Sequence, residues 1–142
     1  MSTHCYIGKV TDDGKVRYVF CRFDGYLEHT GKVLLESYGK NNIDSLLDLG
    51  DLSFLGNNLA PTNSESDYDH CVSYSRDYGE TDCDARYMET PYDYWETEED
   101  DDIEYKYLLG LDGVWYCWNI LFDCKDYVKP LSEALDELGC CS

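Results

Sequence analysis

The sequence predicts an α+β fold, in which an antiparallel sheet built from two β-hairpins has helices packed on one face. Two pairs of strand-like segments flank turn-rich stretches at 11–15 and 110–113, and three segments have helical apolar spacing. The chain has 142 residues, 43% of them hydrophobic, which suits one domain with one core. We therefore predict a single domain over 1–142.

The first half of the chain is predicted to contain one hairpin and two helices. Strands over 5–10 and 16–23 form the hairpin, and the second is apolar on both faces, as a central strand is. Residues 26–38 follow as a helix that ends at Gly39, and a shorter helix over 42–49 ends at Gly50. Residues 51–56 are predicted to form a packed turn.

The second half is predicted to begin with a long polar region. Residues 57–70 have the composition of a loop, and 71–75 of a short strand. An acidic, tyrosine-rich segment at about 65–104 is mostly loop, with one strand near Arg86–Met88. The second hairpin joins strands over 105–109 and 114–119, and an amphipathic helix over 127–138 follows it.

Charge is the most distinctive property of the sequence. The formal net charge is -19, and residues 41–104 carry nineteen acidic and two basic side chains. Such a chain is repelled by nucleic acid and by anionic membranes, so we predict neither as a direct partner. A basic protein is the expected partner. With neither a signal peptide nor a membrane-spanning apolar run in the sequence, we predict a cytoplasmic location.

The eight cysteines are predicted to be reduced thiols, because the sequence carries no secretion signal. Zinc sites use closely spaced pairs of the C-x2-C kind, and only Cys140 and Cys141 are close here, so we predict no structural zinc. Cys5, Cys21 and Cys71 have the settings of small apolar strand residues, as does Cys117.

Catalytic and metal-binding signatures are missing from the sequence. It contains no nucleophile elbow, phosphate loop or HExxH, and the histidines His4, His29 and His70 are far apart. The acidic pairs at 67/69 and 82/84 do not follow the order of an EF-hand loop. We predict no catalytic residue, cofactor or dedicated metal site.

Several short blocks share one family pattern. They are Met1-Ser2-Thr3, Ile7-Gly8, Asp13-Gly14, Val19-Phe20-Cys21, Asp24-Gly25-Tyr26-Leu27-Glu28, Gly31, 34–38, LLDLGDLSFLG (46–56), 76–80 and GVWYCW (113–118). They resemble a family of small proteins from bacteriophages, prophages and mobile elements, with the pattern MSTRSxIG followed by DGxVxxVYCHxDGYLExxGxxLxxxY. This chain departs from it at His4-Cys5, where Arg-Ser is usual, and at Arg22, where a histidine is frequent. The resemblance implies a phage origin, a bacterial host and an accessory role.

The charge and the resemblance together predict a phage-encoded, non-enzymatic inhibitor of a basic, nucleic-acid-handling host defence protein. Acidic nucleic-acid mimicry or steric blocking would be its mechanism, of the anti-CRISPR or anti-restriction type. Aromatic residues among the acids distinguish the segment from a merely solvating tail. The predicted partner-binding residues are Tyr92, Tyr94 and Trp95 as anchors, with Glu96, Glu98, Glu99, Asp100, Asp101, Asp102 and Glu104 as steering charges.

Two alternatives stay open. One is a small accessory module that binds a nucleotide or metabolite, such as a scavenger of a defence signal, if Arg17, Arg22 and Lys32 line a pocket. The other is a disulfide- or metal-stabilised structural protein.

Overall fold

The computed structural model describes residues 3–59, 70–96, 103–119 and 128–139. Its strands are β1 (His4–Val10), β2 (Val16–Cys21), β3 (Leu52–Phe54), β4 (Val72–Ser73), β5 (Arg86–Met88), β6 (Ile103–Leu109), β7 (Trp115–Asn119) and β8 (Lys129–Pro130). Its helices are α1 (Lys32–Ser37), α2 (Ile43–Leu47), α3 (Tyr74–Tyr78), α4 (Pro91–Glu96) and α5 (Leu131–Gly139), and a π-helical turn, Leu27–Gly31, leads into α1. Within these residues, no helix has the length and apolar character that crossing a membrane requires.

The eight strands form one mixed sheet in the order β4-β3-β2-β1-β6-β7-β8, and β5 also pairs with β2. Both predicted hairpins, β1–β2 and β6–β7, are antiparallel. The prediction of an antiparallel sheet was nevertheless wrong, because β1 pairs with β6 in parallel, as β2 does with β3. Residues 5–8 of β1 are buried on both faces, which suits the centre of the sheet, where the two hairpins join through their first strands.

Helices cover both faces of the sheet, which corrects the prediction that they pack on one. The larger core lies where Ile7, Val19 and Tyr107 meet residues of α1, α2 and α5. On the opposite face, α4 packs Tyr94 against Tyr6 and Tyr18, with ring centroids 6.2 and 5.7 Å apart. The sheet is therefore a central layer.

Two short helices lie within the acidic segment and were not predicted. At the start of α3, the Ser73 hydroxyl accepts a hydrogen bond from the Arg76 N–H, and at the start of α4 the Thr90 hydroxyl accepts one from the Asp93 N–H. Gly79 ends α3 in a left-handed conformation, with a φ of 68°. β3, inside the predicted packed turn, and β8 are likewise additional elements.

Candidate functional site

The α3–α4 segment, residues 74–96, is the largest described part of the acidic region. It contains seven acidic residues and two arginines. Both arginines are ion-paired: Arg76 lies 3.0 Å from Asp77, and Arg86 lies 2.7 Å from Asp51. The Arg76 guanidinium holds the pKa of Asp77 below its usual range. Exposed carboxylates therefore dominate the surface of the segment; they are Asp77, Glu80, Asp82, Asp84, Glu89 and Asp93.

The same segment exposes aromatic rings. Tyr78 is 61% exposed, Tyr87 is 62% exposed and Tyr92 is 67% exposed. Within the described ranges, these are the three most exposed large hydrophobic side chains, since Leu111 follows at 50%. They lie on three successive elements, α3, β5 and α4. Tyrosine is enriched at protein-binding surfaces, and carboxylates around it steer the approach of a basic partner.

Asp51 connects this segment to the sheet. Its carboxylate accepts hydrogen bonds from the Phe20 N–H at 3.0 Å and from the Arg86 guanidinium at 2.7 Å. Its backbone N–H donates to the Cys83 carbonyl, and its carbonyl accepts from the Tyr74 N–H. The start of α3, the loop at Cys83 and the start of β5 are all held by this one residue.

A shallow cavity of about 260 Å³ opens beside Asp51. Aromatic rings, acidic side chains and one arginine line most of it; these residues are Phe20, Tyr74, Asp51, Glu80, Asp82 and Arg22. Among the described residues, no three potential ligands are placed to hold one metal ion.

Cys83 also lines this cavity. Desolvation and the neighbouring carboxylates, Asp51 first among them, raise the pKa of its thiol. A protonated thiol is a poor nucleophile. The protonated form of the Cys83 thiol is therefore favoured in this cavity.

The predicted aromatic anchors occupy different environments. Tyr92 is exposed, whereas Trp95 is partly buried and packs against the core on the α4 side of the sheet. Tyr94 is fully buried, and its hydroxyl donates a hydrogen bond of 2.7 Å to the Tyr107 carbonyl. Tyr94 is thus a core residue, unavailable to a partner while the chain is folded. Tyr78 and Tyr87, which the sequence reasoning did not select, are exposed instead.

The predicted steering charges are only partly described. Glu104 is exposed at the start of β6, where the pairing of β1 with β6 shifts register. Glu96 is half-buried near Lys106, whose ammonium it stabilises electrostatically. Glu98, Glu99, Asp100, Asp101 and Asp102 lie outside the described residues.

The cations named for the nucleotide-binding alternative do not line either described cavity together. Arg17 is paired with Asp44 at 3.4 Å and with Asp48 at 2.7 Å. Arg22 lines the 260 Å³ cavity among carboxylates. A second cavity, of about 170 Å³, is lined by Lys9 and Lys40 together with Asp12 and apolar residues.

No protein-family model, curated protein or solved structure matches this chain. The candidate site is therefore defined by exposure, charge and contacts, and it consists of the α3–α4 segment together with the cavity beside Asp51.

Proposed function

We propose that this chain is a phage-encoded, non-enzymatic inhibitor of a basic host protein that handles nucleic acid, of the anti-CRISPR or anti-restriction type. The observation that carries the proposal is the exposure of Tyr78, Tyr87 and Tyr92 within a segment whose two arginines are both ion-paired. Tyrosine is enriched among the residues that dominate binding energy, and its ring loses little entropy when it is immobilised.

The carboxylates of the segment supply the negative charge that a basic partner recognises. Duplex DNA carries one phosphate charge per roughly 1.7 Å of its axis, and proteins that grip it present lysines and arginines to match. The exposed acids of the α3–α4 segment would occupy such a surface and exclude nucleic acid. Charge-driven association of this kind is fast and is weakened by salt.

The cavity beside Asp51 gives this surface a specific feature. A lysine or arginine side chain of the partner would enter it, with its cation near Glu80 and Asp82 and its stem against Phe20 and Tyr74. Aromatic faces attract cations, and carboxylates form charge-assisted hydrogen bonds with them. The cavity therefore adds a defined contact to a diffuse charge attraction.

The test is an order-of-addition cleavage assay with purified CRISPR effectors and restriction endonucleases. The chain is added before or after labelled duplex DNA, at low and at high salt. We expect inhibition when the chain is added first, and less inhibition as salt rises. A basic protein that does not bind nucleic acid serves as the specificity control.

The charge contribution is tested with a triple variant of the segment, Asp84→Asn, Glu89→Gln and Asp93→Asn. Its matched control removes three exposed acids elsewhere: Asp12→Asn, Glu28→Gln and Glu133→Gln. Inhibition should fall in the first variant and persist in the second. Unimpeded cleavage by every nuclease, or equal inhibition by both variants, would contradict the proposal.

A further inference from the structure

Two buried cysteines face each other across the first hairpin. Cys5 is the second residue of β1 and Cys21 is the last residue of β2, and they are direct partners in the antiparallel register. Both side chains are completely buried, and, after burial itself, the neighbouring Cys21 thiol raises the pKa of the Cys5 thiol. The pairing brings two oxidisable sulfurs together in the main core.

The hydrogen-bond pattern of the hairpin sets the spacing of this pair. The Thr11 N–H donates to the Lys15 carbonyl at 2.8 Å, and the Phe20 N–H points away from β1 to Asp51. Because hydrogen-bonded and non-hydrogen-bonded pairs alternate, Cys5 and Cys21 form a hydrogen-bonded pair, with Cα atoms about 5.5 Å apart. Disulfides span Cα separations of roughly 4.4 to 6.8 Å. The Cα separation is therefore within the range that a disulfide spans, and the bond forms once the two Cβ atoms move closer together.

We propose that Cys5 and Cys21 form a reversible cross-strand disulfide under oxidising conditions, and that this bond locks β1 to β2. The oxidant is a low-molecular-weight disulfide such as glutathione disulfide. One cysteine thiolate attacks it, which forms a mixed disulfide and releases one small thiol; the second thiolate then attacks the protein sulfur and releases another. Two protein thiols and one small disulfide thus give one protein disulfide and two small thiols, which take up the two protons.

The packing around Cys5 and Cys21 makes thiol–disulfide exchange depend on local opening of the hairpin. Burial raises the pKa of the Cys5 thiol, which keeps the attacking thiolate scarce. A Cβ atom placed on Gly25 would lie 2.9 Å from Cys5 Cβ and 3.0 Å from its Sγ, so no small disulfide fits beside it. Exchange therefore requires local opening of this end of the hairpin. Once formed, the bond closes the loop from residue 5 to residue 21 and restricts the unfolded chain.

Other buried cysteines of the same core have different partners. Cys71 Sγ lies 3.4 Å from the Tyr38 hydroxyl and 3.4 Å from the Gly56 nitrogen. Cys117 pairs with Tyr107 and Lys129 on its neighbouring strands. Cys71→Ser is therefore a matched control, since it removes a buried thiol without changing the cross-strand pair.

The experiment incubates the folded 142-residue chain with glutathione disulfide, traps free thiols by alkylation and digests the chain with trypsin. Cleavage after Lys9, Arg17 and Arg22 places Cys5 and Cys21 on separate peptides. We expect these peptides to be recovered linked, to separate on reduction, and to be unlinked in Cys21→Ser but linked in Cys71→Ser. The urea midpoint of the oxidised chain should be higher than that of the reduced chain.

Recovery of the Cys5 and Cys21 peptides individually alkylated, or joined to other cysteines, would overturn the proposal. An unchanged urea midpoint in the linked protein would overturn the locking effect. Both measurements are made on the wild-type chain, so they do not depend on the folding of any variant.

Discussion

Arg86 binds Asp51 through two parallel contacts, with Nη2 2.7 Å from Oδ2 and Nη1 3.3 Å from Oδ1. Asp51 immediately precedes β3, and Arg86 is the first residue of β5. Both of these strands pair with β2, so the ion pair joins the acidic segment to the sheet. Bidentate arginine–carboxylate contacts fix the relative orientation of the two side chains as well as their distance. The Arg86–Asp51 pair therefore helps to fix the position of the segment that carries the exposed acids and tyrosines.

Replacing Asp51 tests this anchoring. Asp51→Asn removes the charge that faces Arg86 in a largely buried setting, so we expect the free energy of unfolding to fall by about 2 kcal/mol. Urea unfolding measures the change. The matched control is Asp48→Asn, which breaks the more exposed pair with Arg17 and should cost about 0.5 kcal/mol. Equal effects of the two substitutions would contradict the assigned role of Asp51.

Gly50 controls the approach of the loop at Cys83. Its φ is 76°, and an added Cβ would lie 2.3 Å from the Cys83 carbonyl oxygen. We expect Gly50→Ala to lower the free energy of unfolding by about 3 kcal/mol, because the backbone is strained and the loop must shift. At Gly39 a Cβ meets nothing within 4 Å, so Gly39→Ala, measured in the same urea series, should be nearly neutral. A neutral Gly50→Ala would show that the loop is not closely held.

Substitutions at Tyr92 and Tyr94 should differ in their effect on stability, because Tyr94 is buried and Tyr92 is exposed. Tyr94→Phe deletes the hydroxyl that bonds the Tyr107 carbonyl in the core, so we expect a loss of about 1 kcal/mol in unfolding free energy. Tyr92→Phe, at an exposed ring, should leave thermal and urea unfolding unchanged. If Tyr92→Phe were the more destabilising of the two, the assignment of Tyr94 to the core would be wrong.

Lys106 should make stability depend on pH. Its side chain is buried, with Nζ 5.0 Å from the Trp118 ring centroid, and desolvation lowers its pKa to about 8 while Glu96 opposes the shift. An unfolded lysine titrates near 10.4, so between these values the unfolded chain binds more protons and stability rises with pH. From pH 7 to pH 9.5, the wild type should gain about 2 kcal/mol relative to Lys106→Met.

Urea unfolding of both proteins across that pH range measures the difference. Taking the difference between the two proteins removes the contribution of other titrating groups. A constant difference would mean that the Lys106 ammonium is not desolvated.

The elements that could be predicted from the sequence are those with a clear turn signal or with apolar residues at helical spacing. The two hairpins were predictable from their turns, and the helices containing Leu34, Leu46 and Leu131 from the spacing of their apolar residues. The parallel contact of β1 with β6 was not, because apolar residues on both faces of a strand indicate burial but do not specify the neighbour. The short helix α3 buries no side chain and α4 buries only Tyr94, so neither presents an apolar period. Their signals lie in Ser73, Thr90 and Pro91 at their starts.

The candidate site was predictable in location but not in detail. Composition alone placed it within the acidic, tyrosine-rich segment. Which tyrosine faces outward depends on the turn of α4 after Thr90 and on the space that Tyr6 and Tyr18 leave for Tyr94. Those contacts come from strands about 75 to 90 residues earlier in the chain, so a local pattern could not reveal them.

We propose that exposed tyrosines of the α3–α4 segment anchor a basic nucleic-acid-handling partner. The most direct test is the dissociation constant of the chain for an inhibited nuclease, compared with that of the triple variant Tyr78→Ser, Tyr87→Ser, Tyr92→Ser. The control variant changes three exposed apolar residues elsewhere: Leu35→Ser, Leu111→Ser and Val114→Ser. We predict a loss of affinity of at least about 100-fold for the tyrosine variant and less than about threefold for the control. Equal affinity of the tyrosine variant and the wild type would show that these tyrosines do not anchor the partner.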